Sequence, residues 1–531
     1  MRFGWLKYAA IMCLFGAQGL LFFYIPSLLP KVYLSPDETA VAVTARQFGT
    51  YWSFRLPNKA VKNVEWAHPR SFVSEGKDLV PVGFLGLPLI AGIVWKIFGE
   101  IGLLCLTPFL VLSCIYPLWR FMRGLGRTAQ IASVATWLSY PSVILYANRG
   151  LFPNLVVVCL ALWSAFLVWR NHDWRKRALA GLLFGAALAV RPTEIAWAAV
   201  WIIAAWQDGK TRKQMTDDFR NISSFIGSAL VVPAISALFA WKTYGSPIFI
   251  GYWLRDPVVG VDTTITAAST IANPERIWPF GFHPRAVLAN AENYLINILG
   301  PWSGVGLLAL AVWIRQKAAR PFMLVAAWTV FILCFVYGNT VYQDHVGHDV
   351  VSVGNSYLRY LLPLAPLFAV SVGALAAWCC ETLSRGRAKL TVSFLVGCLV
   401  ILGVWTAFSK DDEGLNSVMP ELVRYESTRY DAYKLFGREA MVVSDRSDKI
   451  FFPAMNATSP IPDETALETL VKEYPSSVLL FDTTYSPNKI SEMQAKGFYL
   501  NPIVETKNQM LYELTLTPLE TEEDQEFKLL Q

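Results

Sequence analysis

Two carboxylates, Asp37 and Glu38, stand side by side in the stretch YLSPDETAVAVTARQFG (Tyr33–Gly49), just after the first long apolar run. Drawing such charges toward hydrocarbon costs solvation energy. The pair is therefore either part of a solvated loop or part of an active site at a membrane surface. A positioned carboxylate can take the proton of an attacking hydroxyl as a general base. Ser35-Pro36-Asp37-Glu38 is also a good helix start. Ser35 suits the N-cap, Pro36 the first helical position, and both acids face the positive end of the helix dipole. Capping and catalysis are compatible.

Further polar residues punctuate the apolar chain. "NRGLFPN" carries Arg149 and Asn154, and "VRPTE" carries Arg191 and Glu194. "YQDHVGHDV" brings Asp344, His345, His348 and Asp349, and "NSYLRYLLP" brings Arg359 and Tyr360. Ionisable residues in or beside membrane-spanning segments are costly and usually functional or paired. Arginines at such edges also serve as snorkelling anchors. The His345-x-x-His348-Asp349 types suit a metal, but their spacing is no specific signature and a solvated loop explains them. His283, followed by Pro284 and Arg285, is a lone histidine.

The elements that must position these residues follow from composition. Of 531 residues, 54% are hydrophobic and 16% charged. Soluble domains carry about 25% charged residues, so the long apolar runs define a polytopic membrane protein. A net charge of +6 makes no case for nucleic acid. All eight cysteines fall in apolar segments, which argues against a disulfide framework or a cysteine metal site. Met1–Leu29 reads as a retained first transmembrane helix, because its apolar run is too long for a signal peptide.

Five short basic segments, around Arg120–Arg127, Arg170–Arg177, Lys210–Arg220, Arg315–Arg320 and Arg385–Lys389, are assigned to the cytoplasm by the positive-inside rule. The polar stretches 31–78, 243–293, 339–357 and 409–531 then lie outside. Parity requires one of the runs 81–98 and 102–119 not to cross, and Pro81–Phe98 is expected along the outer surface. Arg191-Pro192 splits Ala178–Trp206 into arms of about 13 residues, each about 20 Å against an apolar thickness of about 30 Å. A hairpin of short helices, with Arg191 near the outer surface, fits the charge pattern.

About eleven crossings result: 8–29, 102–120, 129–147, 152–169, 178–190, 193–206, 222–242, 294–314, 321–338, 359–380 and 390–408. The fold class is mainly α, with residues 1–408 as transmembrane domain, containing outer loops 31–101 and 243–293. Residues 409–531 form a small extracytoplasmic α/β domain. Strands are expected at Ala440–Ser444, Ser477–Phe481, Phe498–Val504 and Gln509–Leu516, a helix at Asp463–Tyr474, and a disordered acidic tail at Leu519–Glu526. The location is the plasma (inner) membrane, multi-pass, with a cytoplasmic N-terminus.

With Asp37–Glu38, "NRGLFPN", "VRPTE" and "RYLLP" in this order, residues 1–408 resemble the GT-C superfamily of membrane glycosyltransferases. The chain looks most like prokaryotic relatives of the protein O-mannosyltransferases (glycosyltransferase family 39) and of the lipid A aminoarabinose transferase. The resemblance implies sugar transfer from a polyprenyl-phosphate donor to an acceptor hydroxyl on the outer face, usually with inversion. It implies that Asp37 and Glu38 supply the catalytic base or a metal-linked carboxylate, with Mg or Mn as the candidate cation. It further implies that Arg149, Arg191, Arg359 and Tyr360 bind the donor phosphate. Glu194, His283, His345 and His348 are acceptor-side candidates, and the acceptor is a lipid, glycan or protein. Guanidinium groups hold a departing lipid phosphate by bidentate, charge-assisted bonds, so the chemistry is coherent. The alternatives are a transporter or lipid flippase, expected to show inverted repeats and a polar midplane site, and a non-catalytic scaffold.

Overall fold

The computed structural model describes residues 32–57, 64, 66–170, 173–207, 218–247, 281–313, 320–340, 342, 351–409, 413–474, 476–506 and 509–518. The predicted crossing 8–29, most of the loop 243–293, His345, His348 and the acidic tail lie outside the described residues. The chain divides into two compact units. One draws its described residues from 84–239 and 281–419. The other combines 32–83, 240–247 and 420–518.

The first unit is helical. Five helical stretches among the described residues are long and apolar enough to cross a membrane: Gly86–Leu125, Phe219–Tyr244, Pro321–Asn339, Leu364–Thr382 and Arg385–Ser409. Two bent pairs qualify jointly: Pro141–Arg149 with Pro153–Val168, turning by 113°, and Pro284–Ile298 with Gly300–Trp313, turning by 95°. The spans thus number five to seven among the described residues, against the eleven expected of the whole chain.

Gly86–Leu125 holds 40 residues. At 1.5 Å per residue that is about 60 Å, roughly twice an apolar bilayer core. Gly99 breaks it at φ 63°, ψ −150°, a conformation open to glycine, and so separates the two runs that the parity argument distinguished. Trp95 Nε1 donates to Glu100 Oε1 at 3.0 Å across the break.

The Arg191-Pro192 break is also present, between the helices Trp174–Val190 and Ile195–Gln207. Both arms pack along Pro153–Val168. Pro192 supplies no N–H and fixes its φ, which ends one helix and starts the next.

Small residues set the helix contacts. A Cβ on Gly181 would collide with the Phe225 carbonyl, and one on Gly185 with the Ala229 carbonyl, so Trp174–Val190 lies directly against Asp218–Ala229. A Cβ on Gly86 would strike the Ala189 carbonyl, so the start of Gly86–Ser113 abuts the residues just before Arg191.

The second unit holds two sheets. Strands β1 (Leu56–Pro57), β2 (Phe72–Glu75) and β3 (Asp78–Pro81) form an antiparallel sheet ordered β1-β3-β2. Gly76, at φ 63°, makes the tight β2–β3 turn possible. Strands β4 (Met441–Ser444), β5 (Asn456–Thr458), β6 (Val478–Thr483), β7 (Tyr499–Thr506) and β8 (Gln509–Thr515) form a sheet ordered β5-β4-β6-β8-β7. β4 is parallel to β5 and β6, and β8 antiparallel to β6 and β7. Four strands and the helix Glu464–Glu473 fall where alternation and helical spacing put them. Alternate residues feed opposite cores, Val442, Leu479 and Phe481 on one face and Met441, Val443 and Leu480 on the other. The first core also takes Ala40, Val43, Phe72 and Leu79 from the segment bearing the acidic pair.

Candidate active site

In the second unit, Ser35 caps the helix Pro36–Tyr51. Its hydroxyl accepts from the Asp37 N–H at 3.2 Å, while its own N–H donates to Glu38 Oε2 at 3.2 Å, a complete capping box. Glu38 is buried at 2% exposure, whereas Asp37 is exposed. Ser71 Oγ donates to Asp37 Oδ1 at 3.0 Å, and the Ser71 carbonyl accepts from Val82 N at 3.0 Å. The small sheet therefore orients one oxygen of Asp37 and leaves the carboxylate open to solvent. The two acids do different work despite adjacency, because helical geometry turns successive side chains to different faces.

No group of three His, Cys, Asp or Glu able to hold a metal occurs among the described residues. One Glu38 oxygen is engaged in the cap and one Asp37 oxygen with Ser71.

In the first unit, the arginines converge on one short helix, Ser356–Tyr360, capped by the Asn355 side chain. Arg359 lies over the Phe152 ring with Cζ 4.4 Å from its centroid, and its Nη2 donates to Ser356 Oγ. Arg149, buried at the end of Pro141–Arg149, stands 5.1 Å from the same ring and 5.8 Å from that of Tyr146. Tyr146 Oη donates to the Gly354 carbonyl at 3.1 Å, tying that helix end to the Asn355 cap. Arg191 covers Tyr360 at 4.8 Å. Each arginine thus rests on an aromatic face, a favourable place for a partly desolvated guanidinium.

Glu194 is 3% exposed. Its Oε1 lies 3.2 Å from Arg191 Nε and accepts from Tyr337 Oη at 3.1 Å, and its Oε2 accepts from Trp197 Nε1. Tyr337 stacks on Tyr360 at 4.4 Å and 12°. The Tyr337 turn is held by Asn290 Nδ2, which donates to the Gly338 and Thr340 carbonyls at 2.8 Å each. Trp328 Nε1 donates to the Ala196 carbonyl at 2.7 Å and Trp201 Nε1 to Thr329 Oγ1 at 3.0 Å, fixing Ile195–Gln207 against Arg320–Phe335. His283 is exposed, and its backbone N–H donates to Asn339 Oδ1 at 2.7 Å.

The structure therefore brings Arg149, Arg191, Arg359, Tyr360 and Glu194 around one helix. Sequence reasoning missed Phe152, Tyr337, Trp197, Asn290 and Ser71. Phe152 lies inside "NRGLFPN", and its place beside Arg149 was the available signal. Trp197 stands three residues after Glu194, a helical spacing that was also available; Tyr337, Asn290 and Ser71 are remote in sequence from the residues they support and gave none.

The fold is like that of solved GT-C fold members. The chain is similar to ArnT, the lipid A aminoarabinose transferase, of Cupriavidus metallidurans bound to undecaprenyl phosphate. The TM-score is 0.57 and identity 11%, covering 97% of this chain and 98% of that one. Against the apo state of the same protein the values are 0.55 and 11%, covering 96% and 98%. The Archaeoglobus fulgidus oligosaccharyltransferase follows at 0.47 and 12%, covering 90% of this chain and 70% of that one. No protein-family model and no curated protein matches the sequence.

Proposed function

We propose that this protein transfers a sugar from a polyprenyl-phosphate donor to an acceptor hydroxyl at the outer face of the plasma (inner) membrane, with inversion. The observation that carries the reading is the gathering of Arg149, Arg191 and Arg359 around the Ser356–Tyr360 helix. Three cations about one short apolar-flanked helix suit an anionic headgroup whose tail stays in hydrocarbon. Undecaprenyl phosphate bound to a protein of the same fold supports that ligand class.

In this reading the acceptor oxygen attacks the anomeric carbon and passes its proton to the Asp37 carboxylate. The bond from the anomeric carbon to the phosphate oxygen breaks, and the polyprenyl phosphate leaves with charge that the arginines neutralise. Glu38 serves through the cap that fixes Asp37. His283, His345 and His348 remain acceptor-side candidates, and residues 409–531 are assigned to the extracytoplasmic side.

Asp37→Asn in a membrane preparation with radiolabelled polyprenyl-phosphate sugar should abolish transfer while protein abundance stays at the wild-type level. Wild-type turnover by that variant overturns the base assignment. Lipid movement across vesicles without any transfer would favour the flippase instead.

A further inference from the structure

We infer that Glu194 is a positioning residue that sets the edge Arg191 presents to an anion. The inference rests on the reading of Arg191 as a phosphate-binding residue.

A carboxylate at 3% exposure is costly unless its oxygens are occupied. Glu194 meets three partners, Tyr337 Oη and Arg191 Nε on one oxygen and Trp197 Nε1 on the other. The Arg191 Nε approach, at 3.2 Å, does not satisfy hydrogen-bond geometry, so charge rather than direction holds it. Arg191 is gripped twice, by Glu194 at its Nε edge and by the Tyr360 ring under its plane at 4.8 Å. A guanidinium held at the Nε edge and at one face keeps its Nη edge for an incoming anion.

The grip is closed into a circuit. Tyr337 both donates to Glu194 and stacks on Tyr360, so the carboxylate and the ring that hold Arg191 are themselves joined. Glu194 lies three residues after Arg191, past the Pro192 break, and Arg191 is extended at φ −149°, ψ 95°. The pair is therefore made by the bend rather than by a regular helix. Arg191 is thus pre-oriented by a carboxylate, and orientation should be read out in donor affinity.

The test uses the full chain in lipid nanodiscs, with undecaprenyl phosphate as the probe and four variants: Glu194→Gln, Arg191→Gln, the double variant and Glu194→Asp. Glu194→Gln keeps the shape and removes the charge, and should weaken undecaprenyl phosphate binding about tenfold, in the range of one charge-assisted contact. Glu194→Asp keeps the charge and should recover part of that loss, which a purely structural role would not predict. The double variant should bind no more weakly than Arg191→Gln alone, because Glu194 acts only through Arg191. With a labelled sugar donor, Glu194→Gln should raise the donor KM and leave kcat nearly unchanged. Should Glu194→Gln not fold, Tyr337→Phe removes one bond to the carboxylate, keeps the stack, and should weaken binding two- to threefold, the scale of one hydrogen bond. Wild-type affinity in both Glu194→Gln and Tyr337→Phe, or multiplicative losses in the double variant, overturns the inference. Equal affinity of the wild type and Arg191→Gln instead removes the phosphate reading of Arg191, and the inference with it.

Discussion

At the scale of residues, Asp37 and Glu38 show how adjacency in sequence conceals a division of labour. Glu38 closes the capping box from a buried position, while Asp37 extends into solvent with one oxygen on Ser71. Glu38→Ala should therefore lower stability by about 1 kcal/mol, the usual worth of a cap, and Asp37→Asn should leave stability nearly unchanged. Thermal unfolding of the two variants checks this, and a larger loss in Asp37→Asn would contradict it. Ser71→Ala removes one hydrogen bond to the proposed base without touching its charge. Turnover should fall several-fold rather than vanish, since one neutral hydrogen bond contributes about 1 kcal/mol. Steady-state rates measure the difference.

At the scale of elements, close helix contact depends on a few glycines. Gly181 and Gly185 let Trp174–Val190 meet the backbone of Phe225 and Ala229. Gly185→Leu must push those helices apart, and overpacking of this kind costs about 1–3 kcal/mol. The monodisperse fraction recovered from membranes in mild detergent should drop, whereas Gly124→Leu, at a position open on all sides, should leave it unchanged. The same helix ends at Arg191, so the loosened variant should also weaken undecaprenyl phosphate binding.

At the scale of the whole molecule, the unit bearing Asp37 is assembled from three stretches of chain that are distant in sequence. Ala40 and Val43 from the Asp37 helix share one core with Phe451, Leu479, Phe481 and Leu511. Removing 420–531 should expose that core and abolish sugar transfer, although no proposed site residue is deleted. Limited proteolysis of the truncated protein should open the 32–83 segment; protection equal to the full chain would show that this segment folds alone. Arg70 binds the buried Asp448 within the same unit, its Nε 2.8 Å from Oδ1. Arg70→Met leaves that carboxylate the residue-70 backbone N–H but removes its countercharge, and should cost about 3 kcal/mol, read by chemical denaturation.

Much of the architecture was legible in the amino-acid order because it depends on local properties. Apolar run length defines a membrane chain, proline and glycine interrupt helices wherever they stand, and alternation over four to eight residues marks strands whatever packs on them. Ser35-Pro36-Asp37-Glu38 announced its cap for the same reason. Which groups share a site was decided only by tertiary structure. Phe152 lies between Arg149 and Arg359, Tyr337 joins Glu194 to Tyr360, and Ser71 reaches Asp37 across 34 positions of sequence. Such contacts are made when packing brings remote segments together, and no local pattern of residue types encodes them.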